Sequence, residues 1–151
     1  MPISGQVVPD AISLHSPALT LDPTTNEVNL VWAGSDSIFW STMTTPLPTA
    51  GVQPQYNWTR PTSLQEFVTD DGPAVTSFEG AVWLAWKATK STEIFVASCR
   101  DKAWSAAEKV PGVTSERAPC LVGTDDALHV FWREPGLVPN LWWATSTDGK
   151  T

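Results

Sequence analysis

Val82-Trp83-Leu84-Ala85-Trp86, a polar turn, and then Ile94-Phe95-Val96-Ala97 read as two β-strands whose side chains alternate between two faces. The same pair stands on either side of it. Val28-Asn29-Leu30-Val31-Trp32 precedes Ile38-Phe39-Trp40-Ser41, and Leu128-His129-Val130-Phe131-Trp132 precedes Leu141-Trp142-Trp143-Ala144. The first strand of every pair ends on tryptophan. Upstream of each pair a proline opens a shorter apolar run: Pro17 before Ala18-Leu19-Thr20, Pro73 before Ala74-Val75-Thr76, Pro119 before Cys120-Leu121-Val122. These prolines are 56 and 46 residues apart, and the difference falls in Thr44–Gln55, with Pro46, Pro48 and Pro54, which reads as a long hairpin loop. A fourth strand is expected to begin near Trp58 and Trp104.

Four short antiparallel strands in a unit of about 45 residues is the arithmetic of a β-propeller blade. A β-sandwich of the same strand number would not require the strands to repeat. The chain is therefore expected to be all-β, a propeller with three four-stranded blades. The units span about 11–58, 67–104 and 113–151 of one propeller-forming domain over residues 1–151. Val8-Pro9-Asp10-Ala11-Ile12-Ser13-Leu14-His15-Ser16-Pro17 aligns without a gap on Val110-Pro111-Gly112-Val113-Thr114-Ser115-Glu116-Arg117-Ala118-Pro119. Residues 2–10 thus read as the fourth strand of a split blade. Three blades do not close a ring, since propellers run from four to eight. The economical expectation is six blades as a homodimer, by strand exchange at the termini. A fragment of a longer propeller is the other reading.

Composition narrows the partners. Nine Lys and Arg against 16 Asp and Glu give a net charge of −7, which opposes a nucleic-acid groove and a polybasic membrane patch. No apolar window approaches the length of a membrane helix, so no membrane insertion is expected. The N-terminus shows neither the basic nor the apolar region of a signal peptide, and localisation stays open between cytoplasmic and, for a mature form, secreted. Cys99 and Cys120 are expected as free buried thiols rather than a disulfide scaffold. With His15 and His129 the only histidines, no metal site and no cofactor is expected. Asn57-Trp58-Thr59 forms a single glycosylation sequon. Nine tryptophans against one tyrosine remain to be explained.

The pattern Ser/Gly/Ala-Pro-x-Leu/Val, strand, Leu-x-x-Trp, strand, Asp-Gly turn resembles the repeats of sialidase-like propellers and of bacterial and fungal propeller lectins. Ser146-Thr147-Asp148-Gly149-Lys150-Thr151 is similar to a shortened Asp-box turn, where Asp bonds the turn backbone and Gly supplies a positive φ. Asp101 aligns with Asp148, and the first unit lacks the motif.

In a propeller, the loop entering strand 1 and the loop joining strands 2 and 3 open on one rim. His15, Asp71 and Arg117, each two residues before a repeat proline, are expected there beside Trp32, Trp86 and Trp132. Lys87 and Arg133 follow two of those tryptophans, while Asp36, Glu93 and Glu134 lie in or next to the strand 2–3 loops. Aromatic faces beside directional polar groups suit a sugar, whose C–H patches stack on indole while its hydroxyls take hydrogen bonds. The expected function is a carbohydrate-binding lectin with repeated weak glycan sites on one rim, multivalent towards displayed glycans. A structural or protein-interaction propeller, with its tryptophans all buried, is the alternative. A sialidase-like glycosidase is disfavoured: the lone Tyr56 adjoins a proline-rich loop, and Arg60, Arg100, Arg117 and Arg133 fall at unrelated repeat positions. No enzyme activity is therefore expected.

Overall fold

The structure, a computed structural model, describes residue 5 and residues 7–44 and 56–149. The long loop expected at Thr44–Gln55 falls, except for Thr44, outside the described residues. All regular elements are β-strands, arranged as three antiparallel sheets.

The first sheet runs β1 (Ala18–Asp22), β2 (Glu27–Ala33), β3 (Ile38–Thr44) and β4 (Thr62–Leu64) in sequence order. The second runs β5 (Ala74–Phe78), β6 (Ala81–Lys87), β7 (Glu93–Arg100) and β8 (Ala103–Trp104), and β9 (Glu108–Thr114) also pairs with β7. The third has β10 (Cys120–Gly123), β11 (Leu128–Arg133) and β12 (Leu141–Ser146). Each sheet begins just after a repeat proline, whose missing N–H suits a strand start. Trp104 closes β8, whereas Trp58 makes only an isolated bridge to Met43.

The strand register is the same in the three sheets at the repeat tryptophans. Trp32 lies opposite Phe39, Trp86 opposite Phe95, and Trp132 opposite Trp142. Before each proline a hydroxyl folds the backbone into the same turn. Ser13 Oγ donates to the His15 carbonyl (2.6 Å), Thr69 Oγ1 to that of Asp71 (3.2 Å), and Ser115 Oγ to that of Arg117 (2.8 Å). Ser and Thr reach their own backbone two residues on, which makes the turn a local consequence of sequence.

The sheets stack in one sense. Val31 and Ile38, on one face of the first sheet, pack with Val75, Val82, Leu84 and Trp86 on the facing side of the second. The other face of the second sheet offers Phe78, Ala81 and Trp83 to Leu121 and Leu128 of the third. The strands β1, β5 and β10 lie side by side, with Thr20 Oγ1 and Ser77 Oγ 3.3 Å apart and Gly123 N donating to Thr76 Oγ1 at 2.9 Å. Gly123 is required there, because a Cβ would run into the Ser77 carbonyl.

Two outer faces remain. The first sheet exposes Leu19 and Leu21; the third exposes Val122, Phe131, Leu141 and Trp143. Of the segment 2–10 read as a strand, the described residues Gly5 and Val7–Asp10 are in no strand. A strand needs a partner edge, and these residues meet none among the described residues. Cys120 departs from expectation in the same region. Cys99 is buried, but Cys120 is exposed, because nothing covers its face of β10.

Candidate functional site

Each loop entering a sheet makes a backbone hydrogen bond to a turn between strands or to the strand end beside it. Leu14 N donates to the Ala33 carbonyl (3.4 Å), Thr89 N to that of Val68 (3.3 Å), and Ser115 N to that of Thr92 (2.7 Å). His15 is thus brought towards the end of β2 and Asp71 towards that of β6, whereas the Arg117 loop is tied to the turn between β6 and β7 rather than to the end of β11.

Their environments differ sharply. Trp86 is 2% exposed, with Phe67 stacked at 4.6 Å and Phe95 at 6.0 Å between ring centroids, so its ring is engaged by core neighbours. Trp32 is equally buried and stacks on Phe39 at 5.8 Å. Trp132 is half-buried beside the exposed Trp142.

The polar site residues expected in the second unit are engaged by the chain itself, while Thr89 Oγ1 in its β6–β7 turn is buried without a described partner. Lys87 is buried, its Nζ bonded to Asp70 and donating to the carbonyls of Ala88 (3.1 Å) and Ser91 (3.2 Å). Three donors are all that an ammonium has. The Asp71 carboxylate accepts from Gly72 N (2.8 Å) and Ala118 N (2.9 Å), tying two repeat turns together. Glu93 pairs with Lys109 at 2.6 Å. In the third unit Glu134 accepts from Trp142 Nε1 (2.7 Å), Asn140 Nδ2 (2.6 Å) and Asn140 N (3.2 Å). The bond from Trp142 is the largest of the effects holding its carboxyl below the usual range.

Of the site residues expected from sequence, those with side chains left uncommitted belong to the first and third units. The His15 imidazole and the Arg117 guanidinium have no hydrogen-bond partner among the described residues, and Asp36 is exposed with one long bond from Ser37 (3.4 Å). Arg133 carries a buried Nε that no described group satisfies.

A cavity of about 370 Å³ opens on the rim of the first sheet, lined by Asp10, Ile12, Leu14, Trp32, Ser35 and Phe39. Its origin is a repeat series. Counting back from the prolines, Phe67 corresponds to Ala11 and Val113. Phe67 stacks over Trp86; Ala11 has no ring to lay over Trp32. That series was available in the sequence, yet its meaning needs the stacking to be seen. Asp10, Ser35 and Phe39 are the rim residues that motif reasoning missed.

Two other hollows are less suited. One of about 410 Å³ at the far end of the first two sheets contains Trp40, Asn29, Glu27 and Asp22. Its groups satisfy one another: Trp40 Nε1 donates to Asn29 Oδ1 (2.9 Å), Lys102 reaches Glu27 (3.3 Å), and Asp22 accepts from Thr24 N (2.8 Å). The other, about 360 Å³ between β9 and the third sheet, is walled mainly by aliphatic residues such as Val113, Leu121 and Val130. Among the described residues no His/Cys/Asp/Glu group is arranged to hold a metal, and no helix is long and apolar enough to cross a membrane. No protein-family model matches the sequence, and no curated protein is significantly similar to it.

Proposed function

We propose that the protein is a carbohydrate-binding lectin, built as a β-propeller whose blades are the three repeated sheets, with six blades completed by a second copy. The observation that supports it most is the rim cavity of the first sheet. There the Trp32–Phe39 pair forms an aromatic floor, and Asp10 and Ser35 stand on the wall to receive hydroxyls. Asp36 and His15 extend the polar edge. Arg117, Arg133 and Trp132 are further candidates in the third unit. Lys87, Asp71, Glu93 and Trp86 serve mainly as framework in this reading. Binding is then multivalent but unequal, with the first unit strongest.

A panel of immobilised glycans spanning neutral and acidic sugars tests the function. Retention of at least one sugar class, abolished by Asp10→Ala or weakened by Ser35→Ala with unchanged circular dichroism, is expected. A blank panel at concentrations where the protein is assembled contradicts it. That outcome favours a protein-interaction propeller, the reading to which the burial of Trp32 and Trp86 also lends weight.

A further inference from the structure

The third sheet presents large apolar side chains to water at positions that the other sheets bury. Ile38 and Ile94 hold the same register position, opposite the last residue of β2 and of β6, and both are 0% exposed. Leu141 holds it in the third sheet, opposite Arg133, and is 84% exposed. Val31 and Ala85 have no exposed surface, while their counterpart Phe131 is 42% exposed and stacks on the exposed Trp143. In the first two sheets these positions are covered by the following sheet. At the opposite end, Leu19 and Leu21 stand on the face of the first sheet that in the second and third is covered by the preceding one.

The connecting segment shows the same incompleteness. Leu64 pairs with Ile38, the Phe67 carbonyl accepts from Ile38 N (2.8 Å), and Phe67 N closes a turn onto the Leu64 carbonyl (2.8 Å). Counted from the repeat prolines, the equivalents of Leu64 and Phe67 are Val8 and Ala11. Ala11 N closes the same turn onto the Val8 carbonyl (3.3 Å). The turn is made, but among the described residues Val8–Ala11 pairs with no strand edge. Among the described residues β12 pairs only with β11, so its other edge carries unpaired backbone groups beside Leu141.

We infer that the first sheet of a second copy docks on the outer face of the third. In this joint Val8–Ala11 of one chain pairs along β12 of the other, and Arg133 and Leu141 wall the cavity over the first chain's Trp32. The inference rests on the two-copy reading above and adds its faces, its strand register and a site shared between copies. The contact is head-to-tail, so two copies complete it reciprocally and leave no sheet face uncovered. Arg133 follows from the same register: it ends β11 as Lys87 ends β6, and its Nε is buried without a partner among the described residues.

Cys120 is a built-in reporter. It starts β10 where Ala74 starts β5, and Ala74 is buried. The other thiol, Cys99, is buried and its pKa is pushed up to about 11, first by burial, so it stays silent towards alkylation near neutral pH. The experiment measures molar mass and the rate of iodoacetamide reaction at Cys120 across protein concentration. The expected result is a mass of two chains with Cys120 alkylation slowed about tenfold or more in step. Leu141→Asp, at a surface position of the single chain, is expected to keep one-chain mass and a reactive Cys120 throughout. In a Cys120→Ser background, Ser35→Cys reads the cavity and is expected to become protected over the same range. One-chain mass at every concentration overturns the inference. So does a two-chain mass with Cys120 unprotected, or growth beyond two chains. Protection of Cys120 without protection of Ser35→Cys overturns the shared cavity. None of these readouts involves a sugar, so failure of glycan binding alone would be a failure of the lectin proposal only.

Discussion

The second and third sheets follow one strand pattern, yet one is the best buried of the three sheets and the other the most exposed. Every residue of β6 is buried, and three of the six residues of β12 are large exposed hydrophobics. Hydrophobicity does not separate them, since β12 opens Leu-Trp-Trp. Neighbours do: the second sheet has one on each face, the third on only one. Apolar periodicity thus marks which faces want covering, and stacking order decides which are covered within a chain.

The largest expected difference between the regions lies in tryptophan truncation. Trp86→Ala removes a ring packed between two phenylalanines and is expected to cost about 3–5 kcal/mol in urea unfolding. Trp143→Ala, measured at dilutions where single chains prevail, is expected to change stability by no more than about 0.5 kcal/mol. Similar costs would break the contrast.

Next comes Asp70→Asn. It strips the ionic partner from buried Lys87 and is expected to cost about 1–3 kcal/mol, moderated because the Asp70 side chain is 42% exposed. The Asp70 carboxyl is held below its ordinary value, first by the hydrogen bond from Lys87. Its contribution is therefore complete above the unfolded carboxyl pKa of about 3.9 and is lost as pH falls through the lower folded value. Unfolding titrations should show a shallower acid limb in Asp70→Asn than in the parent protein. An unchanged limb would remove Asp70 as a source of acid sensitivity.

Gly123→Ala probes the packing of β10 on β5, where a Cβ meets the Ser77 carbonyl. A cost of about 1–3 kcal/mol is expected, and a neutral result would mean that the third sheet moves away easily. The smallest effect is expected from Glu134→Gln, in the exposed turn between β11 and β12. Global unfolding should be unaltered, while fluorescence quenching of Trp142 by acrylamide rises as its indole loses an ionised acceptor.

The strands were legible because alternation over five residues, a closing tryptophan and a preceding proline recur together. The repeat turns were legible for the same reason, since Ser13, Thr69 and Ser115 act on their own backbone. What surrounds each tryptophan was not. Trp86 and Trp132 look alike in sequence, and what buries Trp86 is partly Phe67, delivered by a linker, where the residue at the same distance before the third proline is Val113. Lys87 read as a sugar-facing cation because its partner, Asp70, lies 17 positions earlier in a loop whose path alone brings them together. The segment 2–10 shows the limit most clearly: the gapless match of Val8–Pro17 to Val110–Pro119 marks it as a strand of the repeat, while pairing requires an edge.

A cross-link tests the joint most directly. In a Cys120→Ser background, Val8→Cys and Leu141→Cys place thiols at the positions equivalent to the paired Leu64 and Ile38, and the chain is oxidised under native conditions at a concentration where it is assembled. The expected product is a covalent species of two 16.4 kDa chains, absent when either cysteine is omitted and lost on adding Phe131→Asp. Oxidation that leaves only single chains, with both thiols still titratable, would contradict the pairing of one copy's first sheet with the other's third.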